Sequence, residues 1–352
     1  MVKLPELGKV TPEFFDEVIF PNLGVDDDTV IVKPRHGVDF GVIEIGDNVI
    51  VMSSDPVYIM PSLGWERAAW FAYHILASDV AVSGIKPRYL TIDLNLPPEM
   101  DEETLKIIWK TIHEECKKMG VSIVCGHTAR YAGCNYPMVG GATIIGIGTK
   151  EELVTPEGIR VGDKVIISKG PAVETTGLMS VQFPEFLEEV HGTDFVKKAQ
   201  SVFYQMTTVY DALTAARVGV SSMHDATECG VWGGLFEMAK ASGCGMRIIK
   251  EEIPIQEVIK QTCEVFEIDP FKAISEGTLL ATARPDRADE VVEALKKEGF
   301  LANIVGEVLP REKGILIVDE KGEHPLEHPR VDPFWIRFEE YLLKQEERRK
   351  KK

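Results

Sequence analysis

The amino-acid sequence predicts an α+β (α/β) protein of two domains, and three observations carry that prediction. A chain of 352 residues exceeds the size at which one core usually stops growing. Short β-branched runs alternate with stretches of helical periodicity in both halves. Between the halves, residues 150–162 turn polar and turn-rich around Thr155-Pro156-Glu157-Gly158. These place a first domain at 1–155, a second at 156–330, and a charged helical tail at 331–352.

In order, runs at 30–32, 42–45 and 49–52 read as antiparallel strands, the last two joined at Gly46-Asp47-Asn48. A helix fits 65–82, where Trp65, Ala68, Ala69, Ala72, Leu76 and Val80 recur at helical spacing, and Gly84 and Pro87 end it. Residues 88–96 alternate, with Leu90, Ile92, Leu94 and Leu96 on one face and Thr91, Asp93 and Asn95 on the other. Asp101 or Thr104 starts a helix that Gly120 stops after Met119. Strands follow at 121–125 and 138–147; glycines 140, 141, 146 and 148 in the latter suggest either close backbone approach or sheet twisting.

The second half reads as a strand at 164–168, a helical region around 195–218, a strand at 220–223, helices at 231–241 and 255–266, a strand at 278–283, a helix at 287–298 and a strand at 302–308. From Pro333 a helix runs into Glu346-Glu347-Arg348-Arg349-Lys350-Lys351-Lys352, a charge run of the kind that forms a solvated helix end.

Composition excludes several classes. The 56 acidic against 39 basic residues give a net charge of −17, which repels nucleic acid. Met1–Leu7 holds no apolar run of signal length, and no stretch approaches the roughly 18 apolar residues of a membrane span, so a cytoplasmic protein is expected. The six cysteines form no C-x-x-C pair, and read as buried or free thiols. Glutamate and lysine are frequent while glutamine and asparagine are scarce, a bias of hot-growing organisms. There is no phosphate loop of the G-x-x-x-x-G-K-[ST] type, no G-x-G-x-x-G, no G-x-S-x-G and no H-E-x-x-H; prolines 325 and 329 argue against a helical metal pair at His324 and His328.

Asp79 is the most informative residue. It falls within the apolar stripe of the 65–82 helix, and an unpaired buried carboxylate costs several kcal/mol, so a cation must be near. Lys86 or Arg88 could supply it, or a metal ion could. Asp55, after the strand at 49–52, and Asp39, before the strand at 42–45, sit where loops build sites. Asp225 and Thr227 precede the helix at 231, where helix capping and a substrate or metal contact are both open.

Several blocks resemble the AIR synthase and hydrogenase-maturation (HypE-type) superfamily, which includes thiamine-monophosphate kinase and selenophosphate synthetase. Gly37-Val38-Asp39-Phe40-Gly41-Val42-Ile43 resembles its early acidic strand motif, and Ser54-Asp55-Pro56 its next Asp element. Ala77-Ser78-Asp79-Val80-Ala81-Val82-Ser83-Gly84-Ile85-Lys86-Pro87 is similar to N-D-x-A-x-x-G-A-x-P, the most specific block. Cys125-Gly126-His127-Thr128 resembles a G-G-[DEH]-T turn, Met223-His224-Asp225-Ala226-Thr227-Glu228-Cys229-Gly230 the H-D-x-T-x-G-G element, and Ile274-Ser275-Glu276-Gly277-Thr278-Leu279 an S-x-G-T-L strand entry.

The resemblance implies a PurM-like two-domain fold, a first domain that makes a homodimer through its sheet, and ATP in a long cleft. Asp39, Asp55 and Asp79 would hold Mg2+ against the phosphates. His127, Thr128 and the Gly126 backbone would touch phosphate or metal, with Asp79 and His127 catalytic and Asp225 and Thr227 in the nucleotide or substrate site. Two carboxylates about 4 Å apart repel by roughly 4 kcal/mol at an effective dielectric of 20, so such a cluster needs cations. The expected activity is ATP-dependent phosphorylation of a carbonyl or amide oxygen on a small or protein-borne substrate. The rivals are a non-catalytic ATP-binding assembly factor and a divalent-metal phosphohydrolase.

Overall fold

The computed structural model describes residues 10–35 and 37–351, so the reading of Met1–Leu7 lies outside the described residues. The first half builds a six-stranded sheet from β1 (Val30–Val32), β2 (Gly41–Ile45), β3 (Asn48–Tyr58), β4 (Pro87–Leu96), β5 (Ser122–Arg130) and β6 (Met138–Thr149). The order is β1-β2-β3-β6-β4-β5, antiparallel except for the parallel pair β4 and β5. The alternation of β4 is realised: Leu90, Ile92, Leu94 and Leu96 are buried under the helix Trp65–Ala81, which packs beside the helix Glu102–Met119. Asp101 caps the latter by accepting the Thr104 N–H at 2.7 Å, and Gly120 ends it in the left-handed conformation.

The second half builds a seven-stranded sheet from β7 (Lys164–Ser168), β8 (Ser222–Ala226), β9 (Gly245–Ile249), β10 (Thr278–Ala283), β11 (Ala302–Leu309), β12 (Ile315–Asp319) and β13 (Gly322–Pro325), in the order β13-β12-β9-β11-β7-β10-β8. The helix Gly230–Ser242 contributes Val231, Leu235 and Met238 to a compact cluster with β9 and β11. The helices Val173–Gln182, Val209–Val218, Glu257–Val265 and Ala288–Lys297 belong instead to a larger buried cluster that is continuous with the first sheet. Polar ties cross the same seam: Ser78 Oγ accepts the Thr208 N–H at 3.0 Å, and His74 Nδ1 lies 2.9 Å from Thr207 Oγ1.

Four sequence expectations are corrected. β3 does not stop at Met52 but runs to Tyr58, so Asp55 lies inside a strand and not after one. β6 keeps pairing with it past the end of β2, which leaves one side of β3 without a ladder, a setting in which a strand tolerates Pro56. Cys125-Gly126-His127-Thr128 is extended and not a turn, because parallel pairing to β4 continues to Arg130. The strand at 220–223 is shifted to Ser222–Ala226, so Asp225 is a strand residue and caps no helix. The region before 195 also folds as the helices Val173–Gln182 and Pro184–His191.

The glycine question is settled at Gly140. Its φ is +145°, and a Cβ there would stand 1.8 Å from the Asp93 carbonyl oxygen, so the two backbones touch. Gly140→Ala is expected to destabilise the fold by roughly 3 kcal/mol, read as a lowered urea midpoint at constant slope. Among the described residues no helix is long and apolar enough to cross a membrane, and all six cysteines are free thiols.

Candidate functional site

The seam between the two sheets gathers acids from several separate stretches of the chain. Asp79, on the last turn of the helix Trp65–Ala81, accepts a hydrogen bond from Ser53 Oγ at 2.7 Å. Ser53 and Asp55 project from the same face of β3, two residues apart. Burial, together with the negative charges of Asp39, Asp55 and Asp225, pushes the Asp79 carboxyl well above the ordinary carboxylate range, against the lowering effect of Ser53. Neither Lys86 nor Arg88 forms an ion pair with Asp79, whose hydroxyl donor is Ser53. The charges of Asp39, Asp55 and Asp225 all act on Asp79.

Asp39 sits in the loop before β2, which docks directly on the second half. Gly37 has φ +75°, and a Cβ there would come within 2.7 Å of the Glu237 carbonyl oxygen. Beside it His224, buried on β8, spans the two halves: Nδ1 lies 2.8 Å from Asp39 Oδ2 and Nε2 2.9 Å from Glu237 Oε2. Burial alone would lower the His224 pKa, but the two carboxylates outweigh it and raise it well above its ordinary value. An imidazolium donating from both nitrogens therefore holds Asp39 in place.

Asp225 is fully buried next to His224, and its Oδ1 accepts the Gly277 N–H at 3.3 Å. Burial raises its pKa to about 7; Glu276 and the cations Lys169 and His224 oppose that rise. Glu276 is raised well above its usual range by burial and then by the charge of Asp225. Glu174, at the start of the helix Val173–Gln182, accepts the Glu276 N–H at 3.0 Å and is pushed by burial to about 8. Asp225 Oδ2 and Glu276 Oε1 are buried without a hydrogen-bonding donor. Thr227 follows in the turn after β8, its carbonyl accepting from Gly230 and Ser275 at 3.0 and 3.2 Å.

Lys169 closes the far side. It is buried, has φ +59°, and places Nζ 3.0 Å from Asp211 Oδ2. A left-handed lysine costs on the order of 1–2 kcal/mol and persists only where its surroundings over-determine it.

The β5 residues lie elsewhere. Register places Gly126 and Thr128 on the helix-covered face of the sheet, level with Ile92 and Leu94, and about 14 Å from Asp55 across three strand spacings. A Cβ at Gly126 would stand 2.2 Å from the Ile92 carbonyl oxygen, so only glycine fits. His127 projects from the opposite face, level with Asp93, where it is exposed and meets Tyr131 Oη at 2.9 Å. Within one chain His127 is not brought to Asp79, because strand alternation turns it away.

Sequence reasoning missed His224, Glu237, Glu174, Glu276 and Lys169. His224 stood in a quoted block, next to an acid, and its pairing with Asp39 spans 185 positions that no local pattern reveals. Two depressions of about 540 and 1240 Å3 open elsewhere on the surface, one beside Trp70 and Tyr204 and the other beside Lys86 and Arg217; none of the site acids lines either. Among the described residues no three His, Cys, Asp or Glu side chains stand close enough to hold a metal ion by themselves.

Comparison with known proteins gives a consistent picture. The family described as AIR synthase related protein matches in two parts, its N-terminal domain over residues 37–148 and its C-terminal domain over 160–319. A putative hydrogenase expression/formation protein of Methanocaldococcus jannaschii is 26% identical over 93% of this chain and 96% of its own length. The carbamoyl dehydratase HypE of Escherichia coli is 26% identical over 73% of this chain and 75% of its own. Among solved structures, a HypE–HypF complex aligns with a TM-score of 0.70 at 23% identity, covering 90% of this chain and 99% of that one. The hydrogenase maturation protein HypE in complex with ATP aligns at 0.61 and 19% identity, covering 92% and 93%. These similarities show the fold to be the two-domain PurM-like one.

Proposed function

The chain belongs to the AIR synthase related protein family, and from that premise we propose that it binds magnesium-ATP in the seam between its two sheets and transfers the γ-phosphoryl group to a carbonyl or amide oxygen. The single observation that carries this reading is a buried Asp79, held by Ser53, on which the charges of Asp39, Asp55 and Asp225 all act with no lysine or arginine in ion-pair contact. A cluster of that charge is built for a cation that arrives with an anionic ligand. The ATP bound by a HypE of the same fold, and the dehydratase activity of another relative, support the choice of nucleotide and of acceptor.

Asp39, Asp55 and Asp79 would share the magnesium that arrives on the phosphates, no single ion taking more than two of them. When bound, the ion supplies charge neutralisation on the phosphates. The chain's own groups do the rest. His224 orients Asp39 and keeps one of its oxygens engaged. Ser53 orients Asp79. Gly126 and Thr128 lie on the same face of the sheet and extend the cleft toward the edge strand β5. Asp225 and Glu276, whose carboxyls are held toward the protonated form, can take up or release a proton at the acceptor as its oxygen is phosphorylated.

Residues 1–155 form the nucleotide-binding and dimerising domain, and 156–330 the domain that completes the cleft. The outer face of the first sheet, with Met52, Ile145 and Ile147 half-buried or exposed, is the surface we assign to a homodimer, and His127 belongs to it. We place the protein in the cytoplasm.

Incubation with magnesium-ATP, with and without carbonyl- or amide-bearing acceptors, is expected to release ADP in an acceptor-dependent manner. Tight nucleotide binding with no ADP under any condition would instead make the chain an ATP-responsive assembly factor. Cleavage of simple phosphate esters without nucleotide would make it a hydrolase.

A further inference from the structure

The family match ends at residue 319, yet a further helix, Pro333–Lys351, begins beside the candidate site. Asp332, just before it, is 6% exposed. Its Oδ1 accepts the Phe334 N–H at 2.9 Å, the usual capping contact, while its Oδ2 accepts the Cys229 N–H at 2.7 Å, 103 positions away. The N–H of Ile274 also acts on this carboxylate.

Cys229 needs that contact. It has φ +62° and is followed by Gly230 at +59°, two left-handed residues in succession, the first bearing a side chain. A Cβ at Gly230 would meet the Ala273 carbonyl oxygen at 2.4 Å, and the Thr227 carbonyl receives both the Gly230 and the Ser275 N–H. The Thr227–Gly230 turn and the 273–277 loop are therefore one unit; the turn follows directly on the end of β8 that bears Asp225, and the loop carries Glu276 and Gly277. Farther along, the terminal helix is seated by Phe338 and Tyr341, which pack against Phe183 and Phe186, and by Arg348 on Glu189.

We propose that Asp332 is a positioning residue of the nucleotide site, holding the Thr227–Gly230 turn and through it the Asp225 and Glu276 carboxyls, so that the terminal helix is a clasp and not a solvated tail. The proposal rests on the magnesium-ATP reading above. Asparagine in its place keeps the size but turns an N–H donor toward one of the two backbone donors, which breaks the double acceptance.

The test compares wild type with Asp332→Asn and Asp332→Ala by two measurements. One is iodoacetamide labelling resolved cysteine by cysteine; the other is magnesium-ATP affinity by calorimetry. Both variants are expected to label Cys229 about tenfold faster while buried Cys116 and Cys263 keep their rates, and to bind magnesium-ATP about tenfold more weakly. An unchanged Cys229 rate overturns the proposal, as does equal acceleration of all three buried thiols, which would mean general loosening. Unchanged affinity beside a faster Cys229 also overturns it. If wild type itself does not bind magnesium-ATP, the functional reading above fails, and the labelling rates still decide whether Asp332 holds the turn.

Discussion

Asp79→Asn is expected to raise the melting temperature of the nucleotide-free protein and to abolish its stabilisation by magnesium-ATP. Asparagine keeps an oxygen for the Ser53 hydroxyl but removes a carboxylate that burial, Asp39, Asp55 and Asp225 all oppose. The apo gain follows from relieved desolvation and repulsion. The loss follows from removal of a cation ligand. At a hundredfold excess over its dissociation constant, magnesium-ATP should stabilise wild type by about 2.7 kcal/mol, which corresponds to roughly 4 °C for a chain of this length, and the variant by almost none. Thermal denaturation with and without magnesium-ATP reads both effects. A variant that melts lower without ligand and still shifts fully with it would contradict the assignment.

The second large effect concerns protons. Glu174, Asp225 and Asp332 have folded pKa values pushed up to about 8, 7 and 6, and Asp79 and Glu276 are raised well above the carboxylate range. A carboxyl whose pKa is higher folded than unfolded binds protons more tightly in the native state, so stability falls as pH rises between the two values. His224, also raised, acts in the same direction above its ordinary value. The apo protein is therefore expected to gain stability on acidification from pH 8 to about 5, the reverse of a protein held by surface carboxylate ion pairs. Because a bound cation favours the ionised forms, magnesium-ATP binding near pH 7 should release protons. Titration calorimetry in buffers of different ionisation enthalpy measures that release directly. Proton uptake, or none, would mean that the acids are not the cation site.

How far the site could be read from the sequence depended on the range of the pattern involved. Asp79 was legible because one helix places an acid among Ala72, Leu76 and Val80, and that local anomaly needed a partner wherever the helix lay. The β4 strand and its buried face were legible because period-two alternation is local. Asp55 was found but misplaced, since the length of β3 is set by pairing with β6 and not by the residues after Met52. The β12 and β13 hairpin went unread because its parallel register with β9 joins positions about 70 apart. His224 becomes a site residue only through its contact across the halves with Asp39, Glu276 and Lys169 through long-range contacts within the second half, and Cys125–Thr128 looked like a turn because nothing in those four residues announces a strand on one side. His127 shows the cost of reading a motif without its register, since a shift of one position in a strand reverses the face.

The shared buried cluster that joins the first sheet to the helices Val173–Gln182 and Val209–Val218 has a mechanical consequence. Jaws that open on a hinge need an interface that can part without exposing apolar surface, and this one would bare Leu76, Val80, Val209 and Ala212 at once. A nucleotide bound in the seam as proposed would therefore have to pass the short loops around it, the Gly37–Phe40 segment among them. On that reading its traffic depends on the give of those loops, not on the swing of two lobes.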